Sequence, residues 1–555
     1  MNNESSIWLF LRKMRAPLIV LNLAHAIPVL LLTLVPGIDA QGNPAHLTIF
    51  DAMYVVGYTA TTIGFGEIPY AFSYPQRIVV LITIYTTVPA WFYALGSLIA
   101  LFQDKTYVNA IKMNTFRRKV SRLGQDFIII CGYNNASKLL IDQLNRDNLY
   151  RIVVIDKSPE KIEQLDIELY MPTIPSITAD ASMTSVLRAS GIQSPNCKFI
   201  VTLFDDDQLN LKVAVRAHIL NGSLHIISRS SVRHGSENLL NIGVDHVIDI
   251  FDIIAKRIDF ALRSPYLFNI LHWIQGGNLH VSKSDILPTG KYIVCSKGRF
   301  GKTLQRVLDK NNIEYTYLDI NREIHEKVAS DKDFFVQAGI ENASCIIAGT
   351  NDDAINLSII ATARGINPNI FAIVRENELE EKSLFSHLRV DKIFILDQVA
   401  AIDGYNYIDR PLTIPFIKEL ANLSNDQVAS TLLSITDRIN KRPALIEIHL
   451  NHTHTHALYE LCHDHQITIG QLLNNPYKDG KDLEIVILGI QRENGQFILL
   501  PNEDTVFQRH DHILLASTKT SLERFTTMVN HYYELYFVIH GVEAKRLRFP
   551  WLHKE

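Results

Sequence analysis

The chain has 555 residues, a formal net charge of −4 and five cysteines. This length exceeds that of one domain, and the nearly balanced charge gives no reason to expect a nucleic acid as partner. No disulfide framework is indicated, because no CxxC spacing occurs among Cys131, Cys197, Cys295, Cys345 and Cys462.

Two apolar segments near the start of the chain predict a membrane protein. No Lys or Arg occurs from residue 16 to residue 76, and no charged residue occurs from 78 to 103. These ranges therefore contain two apolar spans of roughly 20 and 26 residues, each long enough to cross ~30 Å of hydrocarbon. Basic residues flank both outer ends, so these ends are expected in the cytoplasm. A cleaved signal peptide is the alternative for the N-terminus, and the long run and the second span argue against it.

The loop between the spans predicts a pore. Thr48 can cap a short re-entrant helix, which would direct its C-terminal dipole at an ion pathway. The segment TTIGFGE at residues 61–67 follows this helix, and its glycines permit backbone dihedrals that other residues adopt only under strain. It resembles the T-V-G-Y-G-D filter signature of potassium channels, with Glu67 in place of Asp. A turn in a soluble protein is the alternative. The potassium ligands expected are the backbone carbonyls of Thr62, Ile63, Gly64, Phe65 and Gly66.

An internal repeat follows the second span and predicts two Rossmann-like domains. Residues 127–137 and 153–156 match 292–301 and 317–319. Each copy reads as a strand, a Gly-containing turn, an amphipathic helix and a second strand that ends in an acidic residue, which is the dinucleotide-binding βαβ plan. Further on, four residues match at an offset of 146: Asp207, Asn210, Arg229 and Asp245 with Asp353, Asn356, Arg375 and Asp391.

Neither copy keeps the complete G-x-G-x-x-G motif. Because the middle glycine lets the backbone approach a pyrophosphate, the second copy is expected to bind a nucleotide more tightly than the first. A Rossmann scaffold that binds nothing is the alternative for each copy. The residues expected at the nucleotide are Ser296, Gly298, Arg299, Phe300, Gly301, Lys302 and Asp319 in the second copy, and Gly132, Asn134 and Asp156 in the first.

A two-span pore followed by two such domains resembles the prokaryotic potassium channels with tandem RCK (regulator of potassium conductance) domains, and most closely their multi-ligand-gated type. The resemblance covers nearly the whole chain. It implies a homotetramer in the bacterial inner (plasma) membrane, multi-pass, with a large cytoplasmic gating ring. It also implies gating by a small-molecule nucleotide such as NAD or ADP, with calcium as a further candidate ligand.

The expected function is thus a ligand-gated potassium channel and not an enzyme. A membrane-bound nucleotide-dependent oxidoreductase is the runner-up, but no catalytic constellation accompanies the Rossmann motifs. A nucleotide-sensing regulatory subunit of a potassium transporter is the other alternative, although such a subunit does not need its own filter.

The expected fold is an α-helical two-span pore module, two Rossmann-like doubly wound parallel α/β sheets (RCK) and a small α+β C-terminal lobe. Alternating residues after 484 predict the short antiparallel strands of that lobe around a hairpin. The expected divisions are a pore module at 1–104, a linker at 105–125, a first RCK domain at 126–275, a second RCK N-lobe at 276–410, a helical connection and C-lobe at 411–520, and a tail of unknown role at 521–555.

Two clusters of side chains are candidates for binding a metal ion. Asp205, Asp206 and Asp207 offer oxygen ligands for calcium, although Asp207 also belongs to the repeat pattern. Imidazole and thiolate suit zinc, yet the spacing of the second cluster fits no standard zinc finger, so zinc is not expected there. This histidine-rich segment, 449–465, contains His449, His452, His454, His456, Cys462, His463 and His465.

Overall fold

The computed structural model describes residues 4–39, 42–66, 71–277, 279, 286–296, 298–318, 331–377, 385, 388–439, 443–473 and 482–543. Two residues named above, Glu67 and Asp319, lie outside the described residues, as does the end of the predicted tail. The chain divides into two compact units: Met1–Leu123 with Ala189–Gly191, and Gly124–Arg188 with Ile192–Glu555.

The first unit is mainly helical. Thr48 begins the short helix α2 as predicted, because its side chain accepts a hydrogen bond from the Asp51 backbone N–H. The stretches Phe10–Leu34 and Tyr74–Gln103 are each long and apolar enough to cross a membrane. The predicted linker is helical through Ser121. The elements are α1 (Glu4–Leu34), β1 (Gly37–Ile38), β2 (Pro44–Ala45), α2 (Ile49–Ala60), α3 (Tyr74–Gln103) and α4 (Lys105–Ser121).

The first repeat copy forms a parallel six-stranded sheet in the order β5-β4-β3-β6-β7-β8. Strand β3 is buried along its whole length, as a central strand covered by helices on both faces requires. The elements are β3 (Phe127–Cys131), α5 (Asn135–Asp147), β4 (Arg151–Asp156), α6 (Pro159–Ile167), β5 (Ser176–Thr178), α7 (Thr184–Ala189), β6 (Cys197–Thr202), α8 (Asp207–Leu220), β7 (His225–Ser230), α9 (Arg233–Asn241), β8 (His246–Asp249), α10 (Ile250–Arg263) and α11 (Pro265–Ile274).

The second copy forms a parallel five-stranded sheet in the order β10-β9-β11-β12-β13. Both copies are therefore doubly wound, as predicted, with the strand order reversing at β3/β6 and at β9/β11. The elements are β9 (Tyr292–Ser296), α12 (Arg299–Lys310), β10 (Tyr315–Leu318), α13 (Lys332–Gln337), a 3-10 turn (Ile340–Asn342), β11 (Cys345–Gly349), α14 (Asp353–Ile366), β12 (Phe371–Glu376), β13 (Lys392–Ile395) and α15 (Leu396–Asp409).

A C-terminal lobe carries the predicted antiparallel sheet, in the order β14-β17-β15-β16. The expected division at residue 520 falls inside α20, and Phe525, Met528 and Leu535 are buried in the core of this lobe. The elements are α16 (Thr413–Leu420), α17 (Asn425–Arg438), β14 (Ala444–His449), α18 (His456–Asp464), α19 (Ile469–Leu473), β15 (Ile485–Gln491), β16 (Phe497–Leu499), β17 (His512–Ser517), α20 (Lys519–Asn530) and α21 (Tyr532–His540).

The two copies share one hydrophobic core. Leu140 of α5 and Ala400 of α15 are both fully buried in it. The Tyr405 hydroxyl of α15 also donates to Asp147 at the end of α5, at 2.6 Å. Because α15 begins directly after the last strand of the second sheet, this packing brings the start of α15 to the first copy.

Matched residues of the repeat make equivalent hydrogen bonds in both copies. Asn210 accepts from the Phe204 backbone N–H at 3.0 Å, and Asn356 accepts from that of Thr350 at 2.9 Å. The Asn356 amide also donates to the carbonyls of Thr350 and Arg375, at 3.2 and 3.0 Å. The repeat therefore preserves buried polar braces between strand ends.

Replacing Asn356 by alanine should destabilise the second sheet. Asn356 is fully buried, and its loss leaves several backbone groups without a partner, at roughly 1–3 kcal/mol each. We expect the free energy of unfolding to fall by about 3 kcal/mol in denaturant titrations of the full-length protein. Asn342→Ala, on the exposed 3-10 turn, is the matched control and should change it by under about 0.5 kcal/mol. Equal effects of both substitutions would contradict the bracing role.

Candidate functional site

The segment after α2 has a backbone that alternates in handedness. Thr62, Gly64 and Gly66 have φ angles of 64°, 63° and 69°, whereas the residues between them do not have positive φ. Alternation of this kind turns successive carbonyls toward the same side of the strand. Thr62 is not a glycine, so its conformation costs of order 1–3 kcal/mol, and such strain concentrates at functional sites.

Helix α2 anchors this segment. The backbone N–H groups of Ile63 and Gly64 both donate to the Tyr58 carbonyl, at 3.0 and 3.2 Å. The Thr61 hydroxyl donates to the Gly57 carbonyl at 2.9 Å. The five predicted potassium ligands, residues 62–66, therefore form one continuous strand that starts at the C-terminal end of the helix.

In the first repeat copy, the predicted turn residues already form contacts within the protein. Asn134 caps α5, since its side chain accepts from the Ser137 N–H at 3.1 Å and donates to the Leu203 carbonyl at 2.7 Å. A Cβ atom on Gly132 would lie 2.9 Å from the Phe204 ring, so this glycine accommodates a neighbouring strand end. The middle position of the motif is therefore a helix cap.

Asp156 also serves the turn of the first copy. It accepts from the backbone N–H groups of Tyr133 at 2.7 Å and Ser158 at 2.8 Å, and it is only 2 % exposed. Its carboxylate is thus directed at the backbone, where it holds the turn, and not at the solvent side where a ribose would lie.

In the second copy, Gly298 opens the N-terminus of α12. Its φ is 77°, and among the described residues beyond its chain neighbours no atom lies within 4 Å of the place where a Cβ would be, so an anion can approach the backbone. Gly301 packs against Tyr317, whose hydroxyl lies 2.6 Å from the position of an added Cβ. Ser296 is buried and donates to the Gly349 carbonyl at 2.9 Å.

The two cationic residues of this second turn, Arg299 and Lys302, differ in their contacts. Arg299 forms an ion pair with Asp249 at the end of β8 through its Nη2 atom, so this part of the guanidinium is already engaged. Phe300 is buried in the shared core, while Lys302 is exposed and has no ion pair among the described residues. The predicted ribose ligand, Asp319, lies outside the described residues.

A cavity of about 580 Å³ lies at the carboxyl edge of the first sheet. Its volume falls within the usual range of small-molecule sites. It extends from the start of α5 to the start of α15, so the second copy completes it. Three cations and three carboxylates are in its lining: Lys138, Lys161, Arg229, Glu168, Asp205 and Asp397.

Not all of the charged residues that line this cavity form ion pairs among the described residues. Lys138 pairs with Glu168, and Arg229 pairs with Asp205 at 2.7 Å. Lys161 has no ion pair within the part of the chain that the structure describes, so its ammonium is available to an anion. Sequence reasoning missed Lys161, which stands outside the glycine motif.

Asp397 titrates abnormally in the same cavity. Burial raises the pKa of its carboxyl above the ordinary value of 3.8, with Arg229 opposing the rise and Asp205 adding to it. The folded chain therefore holds this proton more tightly than the unfolded chain. Its contribution to stability falls as the pH rises from 3.8 toward the raised pKa.

The acidic triplet considered for calcium is divided among separate partners. Asp205 pairs with Arg229, Asp206 caps α8, and Asp207 accepts from the backbone N–H groups of Ser231 at 2.9 Å and Val232 at 2.9 Å. Where the structure is described, these three carboxylates do not converge on a common point.

Comparison with known proteins gives two family matches. An ion-channel model matches residues 18–104, and a TrkA-N domain model matches residues 128–250 and 292–396. The two TrkA-N matches coincide with the two parallel sheets, and the ion-channel match spans α1 to α3. The chain is thus a membrane protein with a large soluble part.

Several known proteins are similar to this chain. The chain is 29 % identical over 248 residues to an uncharacterized protein of Methanothermus fervidus, covering 44 % of this chain and 37 % of that one. It is 23 % identical over 258 residues to the probable potassium channel protein 2 of Methanocaldococcus jannaschii, covering 43 % of this chain and 66 % of that one. It thus spans less than two thirds of the length of either relative. A solved structure, the GsuK channel bound to NAD, is similar with 15 % identity and a TM-score of 0.45, covering 95 % of this chain and 99 % of that one. With an ion-channel module followed by two TrkA-N domains, the chain has the arrangement predicted from its sequence, a two-span channel module and tandem RCK domains.

Proposed function

We propose that the protein is a potassium-selective channel whose pore is regulated by a nucleotide bound to its RCK domains. The observation that carries this proposal is the alternating backbone of residues 62–66, held at the end of α2. Carbonyls arranged in this way replace the hydration shell of a potassium ion. One chain supplies carbonyls from one side only, so the proposed pore needs several copies around one axis, and the resemblance to tandem-RCK channels implies a homotetramer.

The location follows from the distribution of charge. Basic residues flank the outer ends of both apolar spans, which supports a cytoplasmic position of the RCK domains. The inner (plasma) membrane is the location that the resemblance to prokaryotic channels implies. The proposed protein is thus an ion channel and not an enzyme.

The regulatory ligand is a nucleotide such as NAD or ADP, both of which carry a diphosphate. We place its phosphates in the cavity of the first RCK copy, next to Lys161 and the start of α5. This differs from the prediction made from the motifs alone, which favoured the second copy. Two features support the change: Arg299 is paired with Asp249, and Lys161, which like Lys302 has no ion pair among the described residues, lines the cavity of about 580 Å³.

Four sites acting together provide steep regulation. If each bound nucleotide favours the open state by about 1.4 kcal/mol, four concerted contributions shift the gate by roughly four powers of ten. The cavity suits this role, because its walls come from both RCK copies and a ligand can report on their relative arrangement.

Proteoliposomes test the proposal. We expect the purified protein to pass potassium and rubidium but little sodium, and ADP or NAD on the cytoplasmic side to change the rate of rubidium uptake. Protein-free liposomes give the background. Equal sodium and rubidium fluxes would contradict selectivity, and a rate that neither nucleotide changes would contradict the regulatory role.

Protonation of Asp397 should alter nucleotide affinity. Because burial raises the pKa of this carboxyl, its ionised form adds a negative charge to the cavity only above that raised pKa. We expect nucleotide binding to tighten as the pH falls through this window, and Asp397→Asn to reduce that dependence. Calorimetric titrations of both full-length proteins at several pH values measure it. The nucleotide's own titration affects both proteins equally, so identical pH profiles would contradict the prediction.

A further inference from the structure

Three metal-ligating side chains meet on the surface of the C-terminal lobe. The donor atoms of His452, His456 and Glu460 lie within 4.8 Å of one another. His456 and Glu460 are one turn apart on α18, so they project from the same face of the helix. The His452 ring lies 4.4 Å from the His456 ring, and its Nε2 is 3.8 Å from a Glu460 oxygen.

The turn that carries His452 is held by its own hydrogen bonds. The Asn451 side chain accepts from the backbone N–H groups of Thr453 at 2.9 Å and His454 at 2.7 Å. Asn530 of α20 then accepts from the His456 N–H at 3.1 Å and donates to the His454 carbonyl at 3.0 Å. These hydrogen bonds hold the backbone that carries His452 and His456 in place without an ion.

Arg509 orients the third ligand. Its guanidinium lies 3.6 Å from Glu460 Oε2 and also donates to the Tyr459 carbonyl at 3.0 Å. Glu460 Oε1 is left facing His452, so Glu460 can act as a ligand through one oxygen. A side chain that contacts a metal ligand in this way fixes the orientation of that ligand.

We propose that His452, His456 and Glu460 bind a divalent transition-metal ion of the zinc class, with the fourth position open to water. Two imidazoles and one carboxylate are a common ligand set for such ions, whereas calcium requires more oxygen ligands. Zinc was not expected from the sequence, because the spacing of these histidines fits no standard zinc finger. The relevant spacing is that of a helix face, and Glu460 was not among the residues singled out.

Cobalt(II) is a suitable probe because its visible absorption reports nitrogen and oxygen ligands directly. We expect the full-length protein in detergent to develop this absorption on Co²⁺ titration and to lose it when Zn²⁺ is added. His456→Ala and the isosteric Glu460→Gln should each weaken Co²⁺ binding by at least roughly ten- to hundredfold. His463→Ala is the matched control, since His463 lies on the same helix with its side chain 67 % exposed and should leave binding unchanged.

Each alternative outcome is decisive and none depends on ion flux. No Co²⁺ absorption from the wild-type protein would mean that His452 and Glu460 form only an ion pair, and the proposal would fall. Equal weakening by His463→Ala and His456→Ala would mean adventitious binding to surface histidines. Melting curves without metal identify a variant that has lost its fold, and Glu460→Gln keeps the test valid if His456→Ala is unstable.

Discussion

Gly64→Ala should abolish potassium flux. Gly64 has a φ of 63°, and an L-residue other than glycine pays roughly 1–2 kcal/mol to adopt this left-handed conformation. Relaxation of that strain in every subunit would turn the carbonyls of neighbouring residues away from the ion pathway. Rubidium uptake into proteoliposomes measures the loss.

Two controls accompany this substitution. Gly365→Ala lies on α14, where no atom occurs within 4 Å of an added Cβ and φ is not positive, so it should keep full flux. Nucleotide binding to the Gly64→Ala protein should also be unchanged, because the filter and the proposed nucleotide site belong to different compact units. Retention of rubidium uptake by Gly64→Ala would show that residues 62–66 are not the filter.

Lys161→Gln should weaken nucleotide binding about ten- to hundredfold. The loss of a charge-assisted contact with phosphate costs roughly 1.5–3 kcal/mol, which corresponds to that change in affinity. Lys302→Gln is the matched substitution in the second copy, where Lys302 stands near the start of α12. We expect it to bind ADP and NAD as the wild type does, in calorimetry on the full-length protein.

The opposite result for the two lysines would support the prediction from the glycine motifs, in which the second copy binds the nucleotide. If Lys302→Gln loses affinity while Lys161→Gln binds normally, the nucleotide lies at Gly298, and Asp319→Ala should then weaken binding as well. If neither substitution changes the affinity, the cavity and the glycine turns are both structural, and the proposed location is wrong.

Much of the fold was predictable because local patterns determine it. Strands such as β3 and β11 are continuous apolar runs, which a parallel sheet covered on both faces requires. The cap at Thr48 follows from the polarity of its side chain next to an apolar run. The division at residue 520 was not predictable, because α20 carries its buried residues at helical spacing among polar ones, and only the tertiary packing shows which core they complete.

The candidate sites depended more on contacts between distant residues. The pairing of Arg299 with Asp249 joins the two copies, and the cavity needs α15 of one copy beside α5 of the other. Neither the ion pair nor the cavity can be predicted from the glycine motif of one copy, because each involves residues of both copies. The filter was predictable because its chemistry resides in consecutive backbone carbonyls, which a short sequence segment specifies by itself.

The reversal potential of the purified protein in a planar bilayer tests the central claim most directly. With potassium on one side and sodium at equal concentration on the other, we expect a large reversal potential of the sign that marks potassium as the permeant ion, and a current that ADP or NAD changes from the cytoplasmic side. A reversal potential near zero would show that the pore does not distinguish the two ions and would contradict potassium selectivity.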